Sequence, residues 1–371
     1  MITEAFNKTI GKLLEKEKSH FNDKQRVTGV YGKASTGSLK MDDKTGGGFS
    51  SGIITLYGIT ESGKTSLALK VMEGALLQGD TMCLFVKAEG RLSDNVKSRY
   101  QIDFVDSSEE WKIGNCFELK TNDYYVLIKF LDTVFEELPK GVRLCVIVDS
   151  LNGLRDNTGN GGMASTPRIT SDFLSKISLP VSEYGHLFLL TSQKRAKIEG
   201  TYIANEDRDH FNMSGGNAVQ NYSDWILQFA PHDQKTNQFF ASEDTKRETP
   251  IGHKCLIRIK KSTNNTTNTR VDYPILYGRE GSEVWLEQEL LEYMQMWDFI
   301  SKPNPRASFI VSDYVVKETK DSLNIDLPET FRTEAKLMEF FYENTNFVDF
   351  WAEKIKERIK KPKTGLFTEK V

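Results

Sequence analysis

The sequence predicts an α/β fold: a mainly parallel twisted sheet, covered by helices, around a phosphate-binding loop. Three observations predict it. From about residue 50 to 285, short apolar runs alternate with helical segments. Gly58-Ile59-Thr60-Glu61-Ser62-Gly63-Lys64-Thr65 fits the spacing G-x-x-x-x-G-K-S/T between one such run and a helix start. Leu144-Cys145-Val146-Ile147-Val148-Asp149 is an apolar strand that ends in an acid.

Taken in order, residues 2–20 place Phe6, Ile10, Leu13 and Leu14 at helical spacing among charges, which predicts a short amphipathic helix and then a polar linker. We read residues 1–28 as this extension, packed on its own domain or on a neighbouring subunit, and residues 29–285 as the core. Within the core the strands are expected at 52–57, 82–87, 143–149, 186–191, 224–229, 254–260 and 272–277. Two polar interruptions, 155–166 and 194–216, have the length and composition of functional loops. After Trp285 come helices rich in acidic residues and aromatics, with a connection interrupted by Pro303 and Pro305, so residues 286–371 are expected to form a small C-terminal α/β domain. Its last helix is basic from Lys354 to Lys363; a solvated face and a DNA-gathering surface are the two readings.

Composition excludes several classes. At 371 residues with a net charge of -3, the chain can bury a large core and has no global basic field, so any nucleic-acid contact must be a local patch. Cys83, Cys116, Cys145 and Cys255 are widely spaced and suit buried free thiols. The five histidines lack ligand spacing, which argues against metal or triad chemistry built on them. The sequence has neither a signal core nor an apolar run of about 20 residues, so a cytosolic protein without membrane contact is expected.

The site chemistry follows from charge. A triphosphate needs dense donors, which a Gly-rich loop offers as backbone N–H groups at a helix N-terminus. Residues 58–66, ending at Ser66, are the expected ATP-binding segment, with Lys64 reaching the β- and γ-phosphates and Thr65 placing its hydroxyl on Mg²⁺. Asp149 is the expected second metal-site oxygen; alone, an Asp at a strand end is more often a turn or cap residue, and its value comes from the phosphate loop earlier in the same sheet. Glu89, after the strand at 82–87, projects a carboxylate toward the same crevice and is a candidate base, with a surface turn as the competing reading.

Ser35-Thr36-Gly37-Ser38-Leu39, the phosphate loop, Ala88-Glu89, Val148-Asp149-Ser150, Gln193 with Arg195, Gly215-Gly216-Asn217-Ala218 and Ile275-Leu276-Tyr277-Gly278 stand in the order found in RecA-type recombinases. The chain resembles that family over roughly residues 30–285, as a divergent member that looks like a phage relative, nearer to the UvsX type of role than to a housekeeping bacterial RecA. The resemblance implies a RecA-like ATPase core in which Glu89 is catalytic and Gln193 senses the γ-phosphate. It implies helical filaments whose active sites lie between neighbours, with Lys261 reaching the adjacent subunit's nucleotide. The second lysine position of that pair falls on Thr263, and the usual adenine-stacking aromatic falls near Val96, two departures from the pattern.

The resemblance also implies single-stranded DNA contacts from Arg168, Ser171, Arg195, Lys197, Phe211, Gly215 and Gly216. Homologous duplex DNA, single-strand-binding proteins and loading mediators are the further partners it implies. The activity implied is DNA-dependent ATP hydrolysis coupled to strand exchange. A hexameric helicase or motor of the same fold, and a weakly hydrolysing filament scaffold or mediator, are the alternatives.

Overall fold

The computed structural model describes residues 31–90, 92–157, 165–193, 216–230, 235–240, 246, 248–279 and 283–360. The expected N-terminal helix lies outside these residues. The described elements run α1 (Leu39–Thr45), β1 (Gly52–Gly58), α2 (Lys64–Leu76), β2 (Thr81–Lys87), α3 (Asp94–Lys97), β3 (Phe104–Val105), β4 (Cys116–Lys120), α4 (Tyr124–Glu137) and β5 (Arg143–Asp149). They continue with α5 (Ser165–Tyr184), β6 (Leu187–Gln193), α6 (Gly216–Tyr222), β7 (Trp225–Phe229), β8 (Gln238–Phe240), β9 (Pro250–Lys261) and β10 (Arg270–Leu276). The chain then forms α7 (Leu286–Met296), β11 (Ile300–Ser301), β12 (Phe309–Val311), α8 (Asp313–Leu323), β13 (Thr330–Phe331), α9 (Glu334–Glu343) and α10 (Thr345–Lys360).

Ten strands form one sheet in the order β10-β9-β7-β1-β6-β5-β2-β4-β3, with β8 pairing β9. From β7 to β3 every pairing is parallel, whereas β8, β9 and β10 are antiparallel additions. Parallel strands covered on both faces need apolar residues at successive positions, and Leu144 to Val148 are all buried. Alternation then divides them: Cys145 and Ile147 join the core under α2, while Val146 and Val148 join the core under α4 and α5.

The seven expected strands are all present; β3, β4 and β8 were not expected. β3 has two residues and β8 three, too short for a periodic signal. β4 carries the buried Glu118, which accepts from Lys87 at 3.0 Å and pairs with Lys97, so an ion pair rather than apolar alternation covers it.

A third core gathers α7–α10, the three-stranded sheet β11-β12-β13 and Leu39 of α1. Basic α10 buries Phe347, Trp351 and Ile355 here. Two of its cations are engaged: Lys354 pairs with Glu318 at 2.6 Å, and Arg358 lies 4.7 Å from the Trp297 ring centre.

The Ser35–Leu39 motif joins this third core to the ATPase sheet. Ser38 caps α1, and the fully buried Glu289 of α7 accepts from Ser38 Oγ at 2.7 Å and from the Leu39 amide at 2.6 Å. Thr36 donates through its amide and hydroxyl to Asp42. Burial pushes the Glu289 carboxyl from 4.5 up to about 8, against the opposing pull of Ser38, Lys40 and the two amides of Leu39 and Lys40. An acid with a raised folded pKa favours folding fully below its free pKa, and that contribution is lost as pH rises through the folded value. We therefore expect thermal unfolding to show stability falling between about pH 5 and 8, by at most roughly 5 kcal/mol, and Glu289→Gln to flatten that decline.

Candidate functional site

The site is built on the C-terminal edge of the parallel strands. β1 ends at Gly58, the loop turns through Ile59, Thr60, Glu61 and Ser62, and α2 starts at Lys64. Gly63 has φ +90°, and a β-carbon there would stand 2.4 Å from Cys255 Sγ, so only glycine suits both the backbone and the space. Lys64 curls over its own loop, donating to the Gly58 carbonyl at 3.3 Å, to the Ile59 carbonyl and toward Ser62 Oγ at 3.4 Å. Burial lowers the pKa of its ammonium, with Asp149 opposing.

Thr65 Oγ1 donates to Asp149 Oδ2 at 2.9 Å, and Thr191 Oγ1 donates to Asp149 Oδ1 at 2.6 Å. The Asp149 carbonyl accepts from the amides of Ala88 at 3.0 Å and Glu89 at 3.1 Å. Ser150 Oγ donates to the Glu89 carboxylate. Asn152 Oδ1 accepts from Ser192 Oγ at 3.0 Å and from the Gln193 amide at 2.9 Å. Gln193 also pairs in register with Gly58, so the end of β6 lies beside the start of the phosphate loop. A cavity of about 180 Å³ opens along residues 61–66 and extends to Arg99, His253, Ile275, Tyr277 and Glu283.

A sequence model of the Rad51 family matches residues 30–235, which holds the phosphate loop, Glu89, Asp149 and Gln193. The chain belongs to the Rad51 family. Its fold is accordingly a RecA-like α/β core, and the family comprises DNA-dependent ATPases that bind ATP with Mg²⁺ and assemble on DNA as oligomeric filaments.

The oxygens of this Rad51-family site fit Mg²⁺. Thr65 and Asp149 present hard oxygen donors beside the loop, and Mg²⁺ takes one or two protein oxygens together with substrate phosphates and water. Among the described residues no cluster of three or more His, Cys, Asp or Glu side chains could hold a metal by itself.

The remaining expected residues are dispersed. Lys261 stands opposite Ile226, whereas Phe229 stands opposite Gly58, so Lys261 is roughly 10 Å down the sheet from its own phosphate loop. There its ammonium donates to the Gln220 carbonyl at 2.7 Å, at the end of α6. Arg168 and Ser171 are exposed on α5, and Gly216 is the first residue of α6. Arg195, Lys197, Phe211 and Gly215 lie outside the described residues, as do most of the two expected DNA loops.

Sequence reasoning missed Thr191, Asn152 and Ser150 as holders of Asp149, Gln193 and Glu89. A hydroxyl at position 191, two residues before Gln193 on a strand, was the available signal for the first. Tyr277 was quoted only within a motif; the residue is 44% exposed and lines the cavity, and its hydroxyl meets His253 Nδ1 at 2.8 Å.

We expect Gly63→Ala to weaken ATP binding by at least about tenfold in a calorimetric titration, because the methyl meets Cys255 and the backbone is strained. Adding Cys255→Ala should restore part of that loss, since it removes the contact and leaves the φ penalty.

Proposed function

We propose that the chain is an ATP-dependent recombinase that polymerises on single-stranded DNA, pairs it with homologous duplex and exchanges strands. The observation that carries this reading is the Asp149 joint: one carboxylate receives Thr65 from the phosphate loop and Thr191 from β6, while its carbonyl receives the Glu89 amide. The parts of an ATPase and its expected sensor thus share one sheet edge.

In the proposed reaction the amides of residues 59–65 and the Lys64 ammonium hold the phosphates. Thr65 and Asp149 would hold Mg²⁺, which when bound supplies neutralisation of phosphate charge. Glu89, held by Ser150, orients a water and accepts its proton as the water oxygen bonds to the γ-phosphorus and the bond to the β,γ-bridging oxygen breaks. Gln193 reads the γ-phosphate through its side chain, and the chain passes from it directly into the stretch that begins at residue 194. Contacts from that stretch, through Arg195, Lys197, Phe211, Gly215 and Gly216, then couple nucleotide to DNA, and exposed Arg168 and Ser171 complete the contact.

Lys261 serves the neighbouring subunit's nucleotide, a role supported by its distance from its own loop. In this reading residues 1–28 bridge subunits, 29–285 form the ATPase core and 286–371 form a small C-terminal domain. The protein acts in a bacterial or phage-infected cytoplasm as a UvsX-like recombinase, with single-strand-binding and loading proteins as partners. The described residues contain no helix long and apolar enough to cross a membrane.

Negative-stain microscopy and DNA-binding titrations with and without a slowly hydrolysed ATP analogue test the proposal. We expect nucleotide-dependent helical filaments on long single-stranded DNA, and Gln193→Ala to lose the nucleotide dependence of DNA affinity. Closed rings, or unassembled particles under all conditions, would contradict the recombinase reading.

A further inference from the structure

At the opposite edge of the sheet from Asp149 and Gln193, a second cavity of about 130 Å³ opens at the base of the core that α4 and α5 share. Val142 and His186, which line it, directly precede β5 and β6. Those strands are seven residues long and span about 20 Å, so the cavity is separate from the phosphate loop. The rings of Tyr31, Phe135 and Tyr184 and the side chains of Leu138 and Val142 form its walls. Tyr31 is seated by two neighbours. A β-carbon at Gly185 would stand 2.9 Å from the Tyr31 ring, so glycine admits the ring there, and the guanidinium of fully buried Arg143 lies 5.6 Å from the ring centre.

His186 brings a polar group into these walls. It is 2% exposed, and its ring lies parallel to that of Phe135 with 5.6 Å between centres. Nδ1 accepts from the Leu144 amide at 3.2 Å, which places the ring proton on Nε2. Burial, with Arg143 acting in the same direction, pushes the pKa of His186 from 6.5 down to about 3, so the ring stays neutral and Nε2 stays a donor. Among the described residues Nε2 has no hydrogen-bond partner. With Nδ1 held to β5, the Nε2 edge is the one left for the cavity. Buried donors are nearly always paired, because an unmet one is costly.

An apolar cavity of about 150 Å³ admits one benzene ring, so this one suits a single six-membered ring. Exposed Glu136 and Lys140 also line it, one charge of each sign, and together they favour neither an anion nor a cation. We propose that this cavity binds a small neutral heteroaromatic molecule, a single six-membered ring whose acceptor atom receives the His186 Nε2–H while Tyr31, Phe135 and Tyr184 enclose it.

Pyridine and benzene share a shape and differ in one acceptor, so they serve as the probes. In ligand-observed NMR titrations of the full chain at neutral pH, both should bind wild type with a Kd of about 10 mM or tighter. His186→Phe keeps a ring beside Phe135 and removes the donor; it should weaken pyridine by about five- to tenfold and leave benzene within about twofold. Leu138→Phe fills the cavity, leaves His186 and its bond to the Leu144 amide in place, and should abolish binding of both probes; it carries the test should the first variant fold poorly. ATP affinity should stay within about twofold in either variant, because the phosphate loop lies at the other edge of the sheet. A wild type that binds no pyridine would overturn the proposal. So would equal losses of the two probes or unchanged pyridine affinity in His186→Phe, retention of either probe in Leu138→Phe, or a matching loss of ATP affinity.

Discussion

The arrangement of the site depends on where one carboxylate is held. Asp149 ends β5, and its two oxygens are engaged by hydroxyls from two other elements, Thr65 of α2 and Thr191 of β6. A half-buried carboxylate edge left unpaired carries a cost, so each hydroxyl is drawn to it and each element is drawn with its hydroxyl. Through its carbonyl the same residue fixes the backbone of Ala88 and Glu89 at the end of β2. Phosphate loop, proposed base and proposed metal oxygens thereby share one frame, and none depends on a long flexible side chain for its position.

A second polar joint holds the frame to the rest of the molecule. Glu289 of α7 satisfies Ser38 and the first amide of α1, and α1 in turn packs Leu39 into the third core. The Tyr273 hydroxyl, from β10, donates to the Thr36 carbonyl at 3.1 Å within the same motif. Buried polar contacts of this kind contribute less through net energy than through the cost of leaving any partner unmet, which makes the joint specific.

Much of this was legible in the sequence because the physics was local. The phosphate loop needs glycine at Gly63 and cations and hydroxyls immediately after it, so its residues are contiguous. Fully buried parallel strands such as β5 read directly as apolar runs. Relations between strands were not legible, since register is set by the whole sheet. Cys83, Cys116 and Cys145 are far apart in the chain, yet Cys83 of β2 stands in register with both others, forming a buried row of thiols across three strands. Asn152 likewise carries no local pattern; its amide oxygen matters only because β5 and β6 are neighbours. Short strands such as β3 and β8 pair because longer neighbours offer them an edge, and their own composition says little.

The central claim is that Asp149 and Thr65 form the metal side of an ATP site, and Mg²⁺ dependence of binding tests it most directly. ATP affinity should be measured with Mg²⁺ and with chelator, in wild type and in Asp149→Asn, which keeps an acceptor for Thr65 and removes the charge. We expect Mg²⁺ to strengthen wild-type binding by at least about tenfold and this gain to vanish in the variant while affinity in chelator is retained. A Mg²⁺ gain of the same size in Asp149→Asn would contradict it.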